Sequence, residues 1–216
     1  MTNARLAAYL AVSLLIGMIA REYARASMAT RLHDPTPRLW GRHTLNVRAW
    51  FDPFGSGVLP ALILFLWATG ASFLPPPIAY AKPAPIDPNY FRNRSRDIVV
   101  TALAGPAANL ALGAVGGLAI RAGIGGEVGL MALAFLLTNL SLVVFHLLPI
   151  PGLDGARMLA LVLPPRAAEV YRNADQYLAL IVLVVVFLFG GPLLSIVRSL
   201  TDSLCTLLAG LRCYGF

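Results

Sequence analysis

Arg21-Glu22-Tyr23-Ala24-Arg25 sits inside a long apolar run, and the reading of the chain turns on it. The stretch has the frame of a His-Glu-x-x-His helix with arginine in both histidine positions. In a working helix of that kind two histidines one turn apart bind zinc, and the glutamate takes a proton from zinc-bound water. Arginine has five donors, no acceptor lone pair and a permanent charge, so it does not bind zinc. The expectation is therefore no metal, zinc included, and no other cofactor, with Glu22 as a vestige of a general base.

The apolar run around this stretch is one of several. The chain is 58% hydrophobic and 12% charged, with mean hydropathy +0.73, which fits an integral membrane protein rather than a soluble domain. Five runs approach or reach the roughly 18 to 20 residues that cross a bilayer core: Leu6 to Ala29, Val58 to Leu74, Ile98 to Ile120, Val128 to Leu148 and Tyr177 to Leu200. The first is too long and too charged for a cleavable signal peptide. The shorter piece Ala156 to Leu163, closed by Pro164-Pro165, reads as a re-entrant or interfacial helix. The expected fold is thus an all-α polytopic membrane protein of about five transmembrane helices plus this short one. It forms a single domain over 1–216, with a turn-rich loop at 34–56, a Pro-rich connector at 75–97 and an interfacial tail at 201–216.

The net charge of +7 is scattered among apolar segments, so lipid headgroups are its counterpart and nucleic acid is not expected. With five alternating spans the basic residues divide eight against nine between the two faces, and orientation stays open. Cys205 and Cys213 are too few for a disulfide framework and are read as reduced thiols.

Further motifs follow in order: His33-Asp34-Pro35-Thr36, Gly41-Arg42-His43-Thr44-Leu45-Asn46, Phe51-Asp52-Pro53-Phe54-Gly55, Ala104-Gly105-Pro106-Ala107-Ala108-Asn109 and Leu148-Pro149-Ile150-Pro151-Gly152-Leu153-Asp154-Gly155. Together with the pentapeptide these resemble the site-2 protease family of intramembrane zinc metalloproteases, in particular its compact bacterial branch. The resemblance implies that the two zinc-ligand histidines fall on Arg21 and Arg25, the general base on Glu22 and the third ligand on Asp154. It puts Asn109 near the substrate groove, with His146 as a second groove position. The chain departs from the family pattern at His146, where asparagine is usual, at Asn46-Val47, where Asn-Pro is usual, and at Trp50, where histidine is usual.

Charge supplies an independent reading of the same residues. A central arginine costs roughly 2.5 to 3.5 kcal/mol to insert in a bilayer. Arg21 and Arg25 stand four apart and share a helix face. Two guanidinium groups with Glu22 and Asp154 sum to zero, as would zinc, two neutral histidines and the same carboxylates. A buried salt bridge among Arg21, Arg25, Asp154 and Glu22 is the expectation; the alternative has one or both arginines snorkelling to headgroups. A metal site of Glu22, Asp154 and His146 is disfavoured by the adjacent cations. His33 and His43 read as exposed or structural, Asp34-Pro35 and Asp52-Pro53 as turn chemistry, and Gly113 and Gly117 as internal packing positions. Gly190-Gly191-Pro192 is expected to kink the last span, and Trp40, Trp50 and Trp67 to anchor at the interface.

The expected function is that of a catalytically inactive homologue that binds membrane helices as a regulatory or structural subunit. An accessory subunit of a larger membrane complex and an active metalloprotease with a rearranged site are the alternatives. Its partners would be membrane lipids and transmembrane helices of partner or client proteins, in a bacterial cytoplasmic membrane.

Overall fold

The computed structural model describes residues 2–70 and 75–214, and within these the chain is helical with no strand. A long helix α1 (Thr2–Arg31) is followed by two single turns, α2 (Thr36–Leu39) and α3 (Val47–Trp50). A wide helical turn over Pro53–Val58 then leads into α4 (Leu59–Thr69). After an extended segment come α5 (Arg94–Arg121), α6 (Gly126–Leu147), α7 (Asp154–Leu159), α8 (Pro165–Asn173) and α9 (Leu178–Ala209).

Among the described residues four stretches are long and apolar enough to cross a membrane: Ala4–Arg31, Arg94–Arg121, Gly126–Leu147 and Gly191–Ala209. The expected span Val58 to Leu74 is not among them. Its helix ends at Thr69 because Gly70 takes a left-handed conformation (φ 68°) and returns its N–H to the last turn. Eleven residues rise about 16 Å, half of a bilayer core. Residues 71–74 of that expected span lie outside the described part. The last span is also longer than its sequence reading: α9 stays helical through Gly190-Gly191-Pro192 and on to Ala209, so the residues read as a tail from 201 begin as the final turns of this helix. Gly210 (φ 76°) then folds the chain back, and Cys213 meets Cys205 in a disulfide with Cα atoms 6.0 Å apart. The reduced-thiol reading is corrected accordingly.

Small residues let the helices close on one another. A Cβ on Gly116 would lie 2.6 Å from the carbonyl oxygen of Ala132, so α5 meets α6 backbone to backbone there. Gly113 faces Leu140 of α6 and Gly117 faces Leu208 of α9, which makes this glycine pair an internal packing device. Asn109 sits where α1, α5 and α6 meet, fully buried; its amide donates to the Gly17 carbonyl (3.2 Å) and to Asn139 Oδ1 (2.9 Å). Trp50 and Trp67 are buried, with indole N–H groups on the Thr44 and Pro75 carbonyls, so of the three tryptophans only Trp40 is exposed enough for an interfacial anchor.

The Pro-rich connector is threaded into the bundle. Residues 75–81 are buried, in extended backbone without helix or strand. Non-helical backbone at membrane depth is tolerated where protein satisfies it. Here Tyr80 N–H donates to the Gly55 carbonyl (3.1 Å), Lys82 N–H to the Trp50 carbonyl (2.9 Å) and Asp87 N–H to the Asp34 carboxylate (2.9 Å). Pro75, Pro76, Pro77, Pro83 and Pro85 carry no N–H that would need a partner. Asp34 and Asp52 also cap local turns, through Thr36 N–H and through Phe54 and Gly55 N–H respectively.

Candidate functional site

Helix α1 brings Arg21, Glu22 and Arg25 into the bundle, all three buried. The first residue of α7, Asp154, arrives from the far half of the chain and is 0% exposed. Arg21 donates through one nitrogen to Glu22 Oε1 and through the other to Asp154 Oδ2. Arg25 donates to Glu22 Oε2 (3.0 Å) and Oε1 (3.3 Å), and its Nε lies 3.2 Å from Asp154 Oδ1 without hydrogen-bond geometry. Each arginine thus spans both carboxylates, and charges alternate around the cluster.

Two further groups complete it. Arg157, one turn along α7, donates to Asp154 Oδ1 (3.2 Å). The backbone N–H of Ala84, in the extended connector, donates to Glu22 Oε2 (2.9 Å). All four carboxylate oxygens are therefore engaged. Asp154 stands outside the four spanning helices; burial alone would push its carboxyl up, but Arg21, Arg25 and Arg157 outweigh that and hold it below the ordinary carboxylate range.

The surrounding backbone is shaped to admit these long side chains. A Cβ on Gly105 would lie 2.9 Å from Cγ of Arg21 and 3.1 Å from Cδ of Arg25, so the glycine in α5 makes room for both stems. A Cβ on Gly155 would lie 2.1 Å from the Leu147 carbonyl oxygen, so only glycine lets the start of α7 abut the end of α6 and deliver Asp154. The buried positions of Arg21 and Arg25 replace the snorkelling alternative.

The two groove candidates are placed elsewhere. His146 is buried, with Nδ1 on the Leu142 carbonyl (2.9 Å) and Nε2 without a hydrogen-bond partner. It joins neither carboxylate by hydrogen bond, and Asn109 lies within the three-helix junction. Neither lines the cavity beside the cluster, which has a volume of about 480 Å³ and is walled in part by Arg25, Arg94 and Arg157. His33 is exposed, and His43 contacts Ser27 Oγ (3.2 Å) and the Tyr23 ring.

The residues present do not suit zinc. A divalent cation would have to displace three guanidinium groups from the two carboxylates and then sit among them. Among the described residues no group of three or more His, Cys, Asp or Glu is arranged to hold a metal. Sequence reasoning missed Arg157, the Ala84 amide and the space made by Gly105. For Arg157 a signal existed, since it lies three residues from Asp154 and shares its helix face.

Comparison with known proteins gives two informative relatives. Over 195 residues the chain is 30% identical to "Putative zinc metalloprotease YwhC" of Bacillus subtilis (strain 168), covering 86% of this chain and 81% of that protein. Over 179 residues it is 34% identical to "Putative zinc metalloprotease Rip2" of Mycobacterium tuberculosis (strain ATCC 25618 / H37Rv), covering 81% of this chain and 64% of Rip2. No protein-family model matches the chain, and no solved structure gives a significant match.

Proposed function

The chain belongs to the site-2 protease family, and we propose that it is a member without peptidase activity that acts by binding membrane helices, as a regulatory or structural membrane subunit. The observation that carries this reading is the engagement of every oxygen of Glu22 and Asp154 by arginine or by the Ala84 amide. A general base needs a free lone pair directed at water, and Glu22 offers none. A zinc ligand set needs neutral imidazoles where the chain has guanidinium groups. What persists of the family's site is its mechanical role: the ion cluster ties α1 to α7 across the core, as a shared metal would.

The same reading puts the chain in a bacterial cytoplasmic membrane with its Arg-rich end toward the cytosol. Arg31 to Arg48, Lys82 to Arg96 and Arg157 to Arg172 contribute eleven basic residues at one end of the bundle; Arg5, Arg121, Arg198 and Arg212 contribute four at or toward the other. The positive-inside rule favours that orientation. The Cys205–Cys213 disulfide, near the end of α9, then lies toward the oxidising compartment, where such bonds persist.

The test is metal analysis and an intramembrane cleavage assay on purified protein. Wild type is expected to carry well under one zinc per chain and to leave transmembrane substrates intact, with Glu22→Gln no different. One zinc per chain, lost together with cleavage in Glu22→Gln, would overturn the reading. Cross-linking in intact membranes then addresses the binding role, and a protein that captures no membrane helix above the level of a scrambled control would sink it.

A further inference from the structure

Beside the ion cluster, between α1, α5 and α7, the cavity of about 480 Å³ falls within the roughly 300–1,000 Å³ typical of small-molecule sites. Its lining combines charged and apolar residues. Arg25, Arg94, Arg157 and Asp175 supply charge, and Phe91 and Ile98 are among the apolar residues between them. We propose that it receives the headgroup of an anionic phospholipid, with the phosphate on the arginines and the start of the acyl chains against the apolar lining residues.

Three observations support this. The charges at the cavity do not cancel: its lining residues Arg25, Arg94, Arg157 and Asp175, taken with the adjoining Arg21, Glu22 and Asp154 of the ion cluster, leave one positive charge in excess. A phosphodiester carries one negative charge and restores neutrality. The carboxylates are already committed, Glu22 and Asp154 within the cluster and Asp175 to the Gly152 N–H (2.7 Å), so they do not compete for the remaining donors.

Two of those donors have no partner among the described residues. The Arg94 side chain, exposed at the start of α5, makes no ion pair or hydrogen bond among the described residues and lines the cavity. Thr101, also on the wall, is only 2% exposed, and its hydroxyl has no partner. A buried hydroxyl is normally bonded, so an unpartnered one on a cavity wall points to an absent acceptor. Arg25 Nε is buried without a hydrogen bond, 3.2 Å from Asp154 Oδ1.

The third observation is position. The cavity's lining includes Arg94 and Arg157, which lie at the Arg-rich end of the bundle, the end read above as cytosolic. Anionic lipid gives that surface a negative potential, and basic pockets between helices on that side bind acidic headgroups. The inference rests on the orientation and the arginine cluster described above, but bound lipid is read independently of proteolysis.

Native mass spectrometry of the full chain in mild detergent, titrated with phosphatidylglycerol or phosphatidylcholine, tests it. One phosphatidylglycerol per chain is expected to be retained in preference to phosphatidylcholine. Arg94→Gln and Thr101→Val are each expected to weaken that retention, Arg94→Gln by roughly tenfold, as for loss of one charge-assisted hydrogen bond. Because Arg94 has no partner among the described residues and valine matches threonine in shape, both variants should keep the thermal midpoint of wild type in phosphatidylcholine. Inorganic phosphate at millimolar concentration should not displace the lipid. Equal retention of the two lipids, unchanged affinity in both variants, or thermal stabilisation by inorganic phosphate equal to that by lipid would each overturn the assignment.

Discussion

At the Arg-rich end, three guanidinium groups and two carboxylates are packed together within the bundle, whereas at the opposite end Arg5 and Glu127 pair with about half of each side chain exposed (53% and 52%). The chemistry of the two pairings is the same, and their worth is not. In water the attraction is screened and the ions are nearly as well solvated apart. Inside the bundle neither ion has water to return to, so each depends on the other. The exposed end is therefore secured by other means. Arg121 donates to the Leu207 and Leu208 carbonyls at the end of α9 (2.8 and 2.6 Å), and the Cys205–Cys213 bond closes the turn that follows.

The largest expected effect comes from breaking the buried side of this comparison. Asp154→Ala leaves Arg21, Arg25 and Arg157 facing Glu22 alone, and removal of one partner from a buried ion cluster costs about 3–5 kcal/mol. Unfolding titrations in mixed micelles, alongside protein abundance in the membrane, would measure this. A loss below about 1 kcal/mol, the level of an exposed pair, would mean that the cluster does not hold the core.

How much of this is legible in the sequence depends on whether side chains or backbone do the work. Arg21, Glu22, Arg25 and Asp154 are identified by charge balance and by the family motif, because their side chains meet. Arg157 escapes because its relation to Asp154 requires knowing that a helix starts at Asp154 itself. The Ala84 amide escapes for a deeper reason: a backbone donor carries no mark in the sequence, and only the path of the extended connector brings it to Glu22. The helical core is legible from hydropathy, but the shortness of α4 turns on the single left-handed Gly70. The disulfide turns on Gly210 in the same way, since without that reversal the two cysteines, eight residues apart, would lie on different turns of a continuing helix.

Next in size is the covalent lock at the other end. Cys205→Ser removes a short loop closure, with an expected loss of about 2–3 kcal/mol by chain entropy. A reducing agent should lower the stability of wild type toward that of the variant and leave the variant unchanged, as read by the same micelle titration. If wild type is insensitive to reductant, the bond contributes nothing to this end.

Gly105→Ala returns to the centre by a steric route. The added methyl would press on the stems of Arg21 and Arg25 without removing any charge. Those stems are flexible, so an overpacking cost of about 1–3 kcal/mol is expected. Its effect should shrink when combined with Asp154→Ala, because the arginines are then released to move. Full additivity of the two losses would show that Gly105 and the ion cluster act separately.

The smallest effect is expected where the comparison began, at Glu127. Glu127→Gln removes the charge that pairs with Arg5 and keeps an acceptor for the Tyr9 hydroxyl, which now donates to Glu127 Oε2 at 2.9 Å. Its cost should stay below about 1 kcal/mol at low salt. At 1 M salt the screening length falls to about 3 Å, and that cost should largely disappear. The Asp154→Ala loss should be unaffected by the same salt, because ions do not enter the packed cluster. Measuring both variants at low and high salt separates the ends by mechanism as well as by magnitude. Salt sensitivity at Asp154 comparable to that at Glu127 would mean that water reaches the cluster, and that its ion pairs are worth no more than those at the surface.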